Sequence, residues 1–128
     1  MNTACTEIAR YQFKAVVFDI QAECRELKKE LSDAEIYVLV PFFGLQVEHT
    51  LQEMLADMLL APSDCLMLTN NAQHATLATR LGMAVAGCME GHFEVPKSVT
   101  LLEAPEEVST GYLNRIYCHQ QKLPAKIA

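Results

Sequence analysis

A doubly wound α/β domain built on a parallel sheet is the fold class this sequence predicts, and three observations predict it. Short apolar runs rich in β-branched residues alternate with segments of helical periodicity. The connections between them are short, as in sheets whose strands are crossed by helices on both faces. The length of 128 residues, about half of them apolar (51%), suits one domain around one sizeable core.

Each element has its own signature. Phe13-Lys14-Ala15-Val16-Val17-Phe18-Asp19 reads as a strand ending on a polar residue. From Ala22 to Leu31 the spacing is helical: Cys24, Leu27, Leu31 and Ala34 share a face, and Glu23, Glu26, Lys28, Lys29 and Glu30 lie opposite. Ile36-Tyr37-Val38-Leu39-Val40 is a second strand, a near-continuous apolar run closed by Pro41, which has no N–H for a ladder. Leu45 to Leu60 reads as a helix, with Leu45, Val47, Leu51, Met54, Leu55, Met58 and Leu59 on one stripe. Pro62-Ser63-Asp64 makes a loop before a third strand, Cys65-Leu66-Met67-Leu68.

Thr69-Asn70-Asn71 then forms a turn in which Asn70 or Asn71 caps a helix from Ala72 to Leu81, and Gly82 suits the left-handed position beyond its end. Met83 to Gly87 is a fourth strand and Val99 to Leu102 a fifth. Pro105-Glu106-Glu107 fits the first turn of a last helix running to His119 or Gln120. Residues 1–12 form an N-terminal extension, and Lys122 to Ala128 a tail expected to fray. With no repeat, linker or composition break, residues 1–128 read as a single domain.

Composition excludes several function classes. The net charge is −6, and between Glu30 and Glu94 nine acidic residues face one basic one, Arg80. Nucleic-acid binding draws most of its affinity from phosphate neutralisation, so neither nucleic acid nor a polyanionic membrane surface is an expected partner. No apolar run approaches the roughly 20 residues of a membrane helix. Met1 to Glu7 lack the basic-then-apolar pattern of a signal peptide. Cys5, Cys24, Cys65, Cys88 and Cys118 are odd in number and widely spaced, and none forms a C-x-x-C pair. This spacing argues against a disulfide framework or a zinc site and for a reduced, cytoplasmic setting.

Among the histidines, His49 and His74 lie on helices, His92 in a loop and His119 near the C-terminus; none is spaced H-x-x-x-H from another. Cys88 and His92 fall near one sheet edge, but core filler is the better reading of Cys65 and Cys88, as it is of Met54, Met58, Met67 and Met83. Phe42-Phe43-Gly44 at a strand end marks a dimer or partner patch if its rings are exposed, and part of the core if they fold back.

In doubly wound sheets ligands bind beyond the carboxyl ends of the strands. The candidate pocket is therefore Asp19, Ile20, Gln21, Pro41, Phe42, Thr69, Asn70 and Asn71. None of these turns carries a GxGxxG or P-loop pattern. Val16-Val17-Phe18-Asp19 resembles the opening hhhhDxD motif of the haloacid dehalogenase-like (HAD-like) hydrolases. Asp64 to Asn71, followed by Ala78, Arg80, Leu81-Gly82-Met83 and Val85-Ala86-Gly87, resembles that family's fourth motif with the helix and strand after it. The similarity spans most of residues 13 to 103.

The resemblance implies a capless, three-layer α/β/α, Rossmann-like domain, and it also implies a chemistry this chain has largely lost. Family members use a nucleophilic Asp, an acid/base Asp two residues on, a Ser/Thr, a Lys and a metal-binding acid. Only Asp19 matches, as a remnant nucleophile. The acid/base position is Gln21, the Ser/Thr position Pro41, and the metal-acid position Asn70, and no lysine lies between Lys29 and Lys97. Asp19 and Asn70 would form a weak Mg²⁺ site at most, since Mg²⁺ prefers charged oxygen ligands. The expectation is a degenerate, non-catalytic module for binding or regulation, acting as a homodimer or on a protein partner and needing no cofactor.

Two alternatives stand beside it. One is a weak Mg²⁺-dependent phosphohydrolase using Asp19. The other is a pseudo-receiver: one family strand is missing between Phe43 and Asp64, which makes the expected strand order 2-1-3-4-5, the receiver order as well. A receiver needs an Asp where Asn70 stands and Lys-Pro where Ala104-Pro105 stand. Glu103 to Pro124 also looks like the end of small HAD-like modules that precede acetyltransferase domains in some bacterial proteins, which favours an accessory role.

Overall fold

In the computed structural model, which describes residues 11–88, 97–102 and 108–123, five parallel strands lie in the order β2-β1-β3-β4-β5. The strands are β1 (Ala15–Asp19), β2 (Tyr37–Leu39), β3 (Cys65–Thr69), β4 (Ala84–Gly87) and β5 (Thr100–Leu101). Helices α1 (Arg25–Asp33), α2 (Val47–Asp57), α3 (Ala72–Leu81) and α4 (Thr110–Gln120) cover both faces. The predicted three-layer, doubly wound architecture and its strand order are what the chain adopts.

Strand pleating sorts the core into two halves. Val16, Phe18, Leu66, Leu68, Ala84 and Ala86 meet Leu27 and Leu31 of α1 and Leu113, Ile116 and Tyr117 of α4. Their neighbours Ala15, Val17, Cys65, Met67 and Val85 meet Leu51 and Leu55 of α2 and Ala75 and Ala78 of α3. The register pairs Ala15 with Cys65 and Asp19 with Thr69, so the polar ends of β1 and β3 sit side by side.

At the other rim, Tyr117 Oη donates to the Ser63 carbonyl, tying α4 to the 3₁₀ turn Pro62–Asp64 that leads into β3. The β4 edge is completed by a side chain. Gln120 Oε1 accepts from Val85 N at 2.7 Å, and its Nε2 donates to Val85 O at 2.7 Å, filling the place of a strand residue where β5 has not yet begun.

Several boundaries differ from expectation for local reasons. α1 starts at Arg25 and not Ala22, because its N-cap Cys24 is left-handed (φ 49°, ψ 47°). α2 is trimmed at both ends. Leu45, expected on its apolar stripe, is fully exposed; Leu59 is exposed and left-handed (φ 58°), so neither joins the core. β2 keeps three residues of the five expected, as suits an edge strand just before a proline. α4 begins at Thr110, where Ser109 Oγ accepts from Tyr112 N at 3.1 Å. The expected first turn at Pro105-Glu106-Glu107 lies outside the described residues, as do His92, Cys5 and the end of the tail. By contrast α3 spans Ala72–Leu81 as expected, from the Asn71 cap to the left-handed Gly82 (φ 101°). Cys88 is only half-buried, unlike Cys65. Among the described residues, no helix is long and apolar enough to cross a membrane.

Candidate functional site

The site lies where β1 and β3 end, and pleating decides which way it faces. Asp19 continues the Ala15, Val17 series and Thr69 the Cys65, Met67 series, so both side chains turn toward the α2/α3 layer. There they meet the first turn of α3. Thr69 Oγ1 donates to Asp19 Oδ2 at 2.6 Å, and His74 Nδ1 lies 2.6 Å from the same oxygen. A carboxylate only accepts, so the imidazole proton that makes this bond sits on Nδ1. Thr69 Oγ1 accepts in turn from Asn71 N at 3.0 Å.

The turn that delivers His74 is set locally. Asn71 is extended (φ −118°, ψ 116°), and its Oδ1 accepts from His74 N at 3.0 Å, the N-cap bond to the third helical residue. That bond fixes the first turn of α3 over the end of β3 and brings the imidazole to Asp19. Phe43, from the segment between β2 and α2, places its ring edge-on to the imidazole with centroids 5.4 Å apart. Thr69 is fully buried, while the Asp19 and His74 side chains are about one-fifth exposed (19% and 20%). One carboxylate thus joins two strands and a helix across 50 and 55 residues of sequence.

Of the residues predicted to line a pocket, three come together here: Asp19, Thr69 and Asn71. Ile20 packs instead on the α1/α4 side of the core. Gln21 and Asn70 are exposed; Asn70 reaches Asp19 only through its backbone, with N to Asp19 O at 3.4 Å. Pro41 is half-buried, and Phe42 is 92% exposed. The sequence reading missed His74 and Phe43. The signal for His74 was its place three residues after a capping Asn at a strand end, where a helix's first turn lies over the sheet's carboxyl edge.

The Mg²⁺ that the HAD-like resemblance implies does not fit these residues. Its one acidic ligand would be Asp19 and its other ligand the neutral amide of Asn70, whereas Mg²⁺ prefers several charged oxygens. Among the described residues, no group of three or more His, Cys, Asp or Glu side chains could hold a metal ion. What the arrangement can do is narrower. It fixes an imidazole's orientation and proton position at the rim of the sheet, and it locks together the elements that meet there.

Replacing Thr69 with valine keeps the shape and removes all three contacts of the hydroxyl. Asn71 N–H loses its acceptor and Asp19 a donor, so we expect Thr69→Val to destabilise the fold by about 1–2 kcal/mol. Urea unfolding measures this, and the slope should be unchanged because the surface exposed on unfolding is the same.

No protein-family model, curated protein or solved structure matches this chain.

Proposed function

We propose that this chain is a non-catalytic binding or regulatory module on a HAD-like scaffold, in which the residue matching the family's nucleophile has become an anchor. One observation carries the reading: Asp19 Oδ2 accepts from both Thr69 and His74. In the family that carboxylate attacks phosphorus beside a metal ion. Here two charge-assisted bonds to Oδ2, one of them from a fully buried hydroxyl, hold the carboxylate against β3 and α3. Gln21, at the acid/base position, is exposed and has no proton to transfer at neutral pH. The proposal places the module in the reducing cytoplasm, on the cysteine pattern of the sequence.

Turnover tests the reading. With an aryl phosphate and Mg²⁺ in excess, wild type and Asp19→Asn should both release phenol at the rate of a protein-free control. Release by wild type that Asp19→Asn abolishes would replace the anchor with a weak phosphohydrolase. The pseudo-receiver reading shares the strand order, but it lacks the acceptor Asp at the end of the third strand, where Asn70 is exposed.

A further inference from the structure

We propose that two copies of this chain pair edge to edge through β2, about a two-fold axis at Leu39. The inference does not depend on how Asp19 is used. β2 pairs only with β1, and its other edge is open among the described residues. Tyr37 N donates to Lys14 O at 3.0 Å, which turns the backbone groups of Tyr37 and Leu39 toward β1. Alternation then points those of Val38 and Val40 outward. In an antiparallel pair centred on Leu39, Val38 and Val40 of one copy lie opposite Val40 and Val38 of the other. Both can then exchange N–H and C=O bonds. Beyond that pair Ile36 N already donates to Leu31 O at 2.9 Å, so the ladder ends there.

Charge and surface argue that the occupant is a second copy. The chain carries a net charge of −6, so two copies repel over most of their surfaces. Ile36 to Val47 contains no charged residue, and the edge has none of the lysines or inward charges that normally keep edge strands apart. Tyr37 (53% exposed), Val40 (62%), Phe42 (92%) and Leu45 (103%) follow one another along this segment. Together they present on the order of 600 Å² per copy, so a pair that covered all of it would bury at most on the order of 1,200 Å², the lower end of specific interfaces. The pairing is also self-complementary: it brings the Phe42 end of each edge to the Tyr37 start of the other, apolar against apolar. It would hold the segment that carries Phe43 over His74.

Sedimentation equilibrium from about 1 to 100 μM tests this. Wild type should reach twice the 14.3 kDa chain mass. Phe42→Glu/Leu45→Glu should remain monomeric and melt where wild type melts once that is diluted to monomer, because both side chains are exposed in the single chain. Val40→Lys, at the open edge, should weaken the dimer at least tenfold on its own. Higher salt should tighten the wild-type dimer by screening like charges. A wild type that stays monomeric at the highest concentration would overturn the proposal. So would a dimer that survives both sets of charges, or one that salt dissociates.

Discussion

Asp19→Leu is expected to lower stability by about 2–3 kcal/mol, roughly 10 °C in melting temperature for a domain of this size. The substitution strands two donors at once. The Thr69 hydroxyl, fully buried, keeps only a 3.5 Å contact to Asn71 O. The His74 ring, one-fifth exposed, can turn part-way to water, which holds the total below the cost of two fully buried orphans. Asp19→Asn keeps one carbonyl acceptor at the same place and should cost only about 1 kcal/mol. A remnant carboxylate of no structural consequence would give the opposite pattern: a near-neutral Asp19→Leu, measurable by thermal and urea unfolding alike.

The second large effect is loss of stability in alkali. Burial pushes the Cys65 thiol up to about 12, with the neighbouring Asp64 charge adding to it and Lys14 opposing. Burial, reinforced by Asp64, Cys65 and Cys118, also raises the Tyr117 hydroxyl to about 12. Both groups ionise more readily in the unfolded chain, near 9 and 10. Their neutral forms therefore favour folding fully below pH 9. That contribution fades as pH climbs through the window from 9 to 12, where the unfolded state has released protons the folded state still holds. Because each group ionises later in the folded chain than in the unfolded one, the combined loss by pH 12 should be on the order of several kcal/mol. Denaturant midpoints at pH 8, 9, 10 and 11 should fall steadily, and Cys65→Ala should flatten the slope while lowering the midpoint at pH 8. A midpoint that stays level to pH 11 would contradict the burial of these groups. The same burial predicts that native Cys65 resists alkylation at pH 8 until the chain unfolds.

How legible all this was depends on which physics each segment obeys. The central strands announced themselves, because Ala15 to Phe18 and Cys65 to Leu68 are buried on both faces and must be continuously apolar. α3 was readable to its ends because Asn71 and Gly82 are chemically suited to the cap and left-handed positions they occupy. Where the edges are concerned, composition misleads. Leu45 and Leu59 continue the α2 stripe in sequence, yet the helix stops short of both and leaves them in solvent. Cys24 looked like a helix-face residue and proved a left-handed cap. The site divides in the same way. Asp19 was identified because a carboxylate ending a buried strand stands out in a single line of sequence. His74 was not, because periodicity reads a helix for its buried stripe, whereas this side chain faces the strand ends from the first turn. Its partner lies 55 residues away, and only the strand order makes the two neighbours.

The central claim, that Asp19 anchors the fold and no longer serves a phosphoryl group, meets its most direct test in thermal unfolding with Mg²⁺ and with Mg²⁺ plus beryllium fluoride, on wild type and Asp19→Asn. Any ligand that binds only the native state raises the midpoint. The account predicts a lower midpoint for Asp19→Asn without ligand and no ligand-dependent rise in either protein. A rise in wild type that Asp19→Asn loses would mean that the carboxylate still receives metal and phosphoryl, and the anchor reading would be wrong.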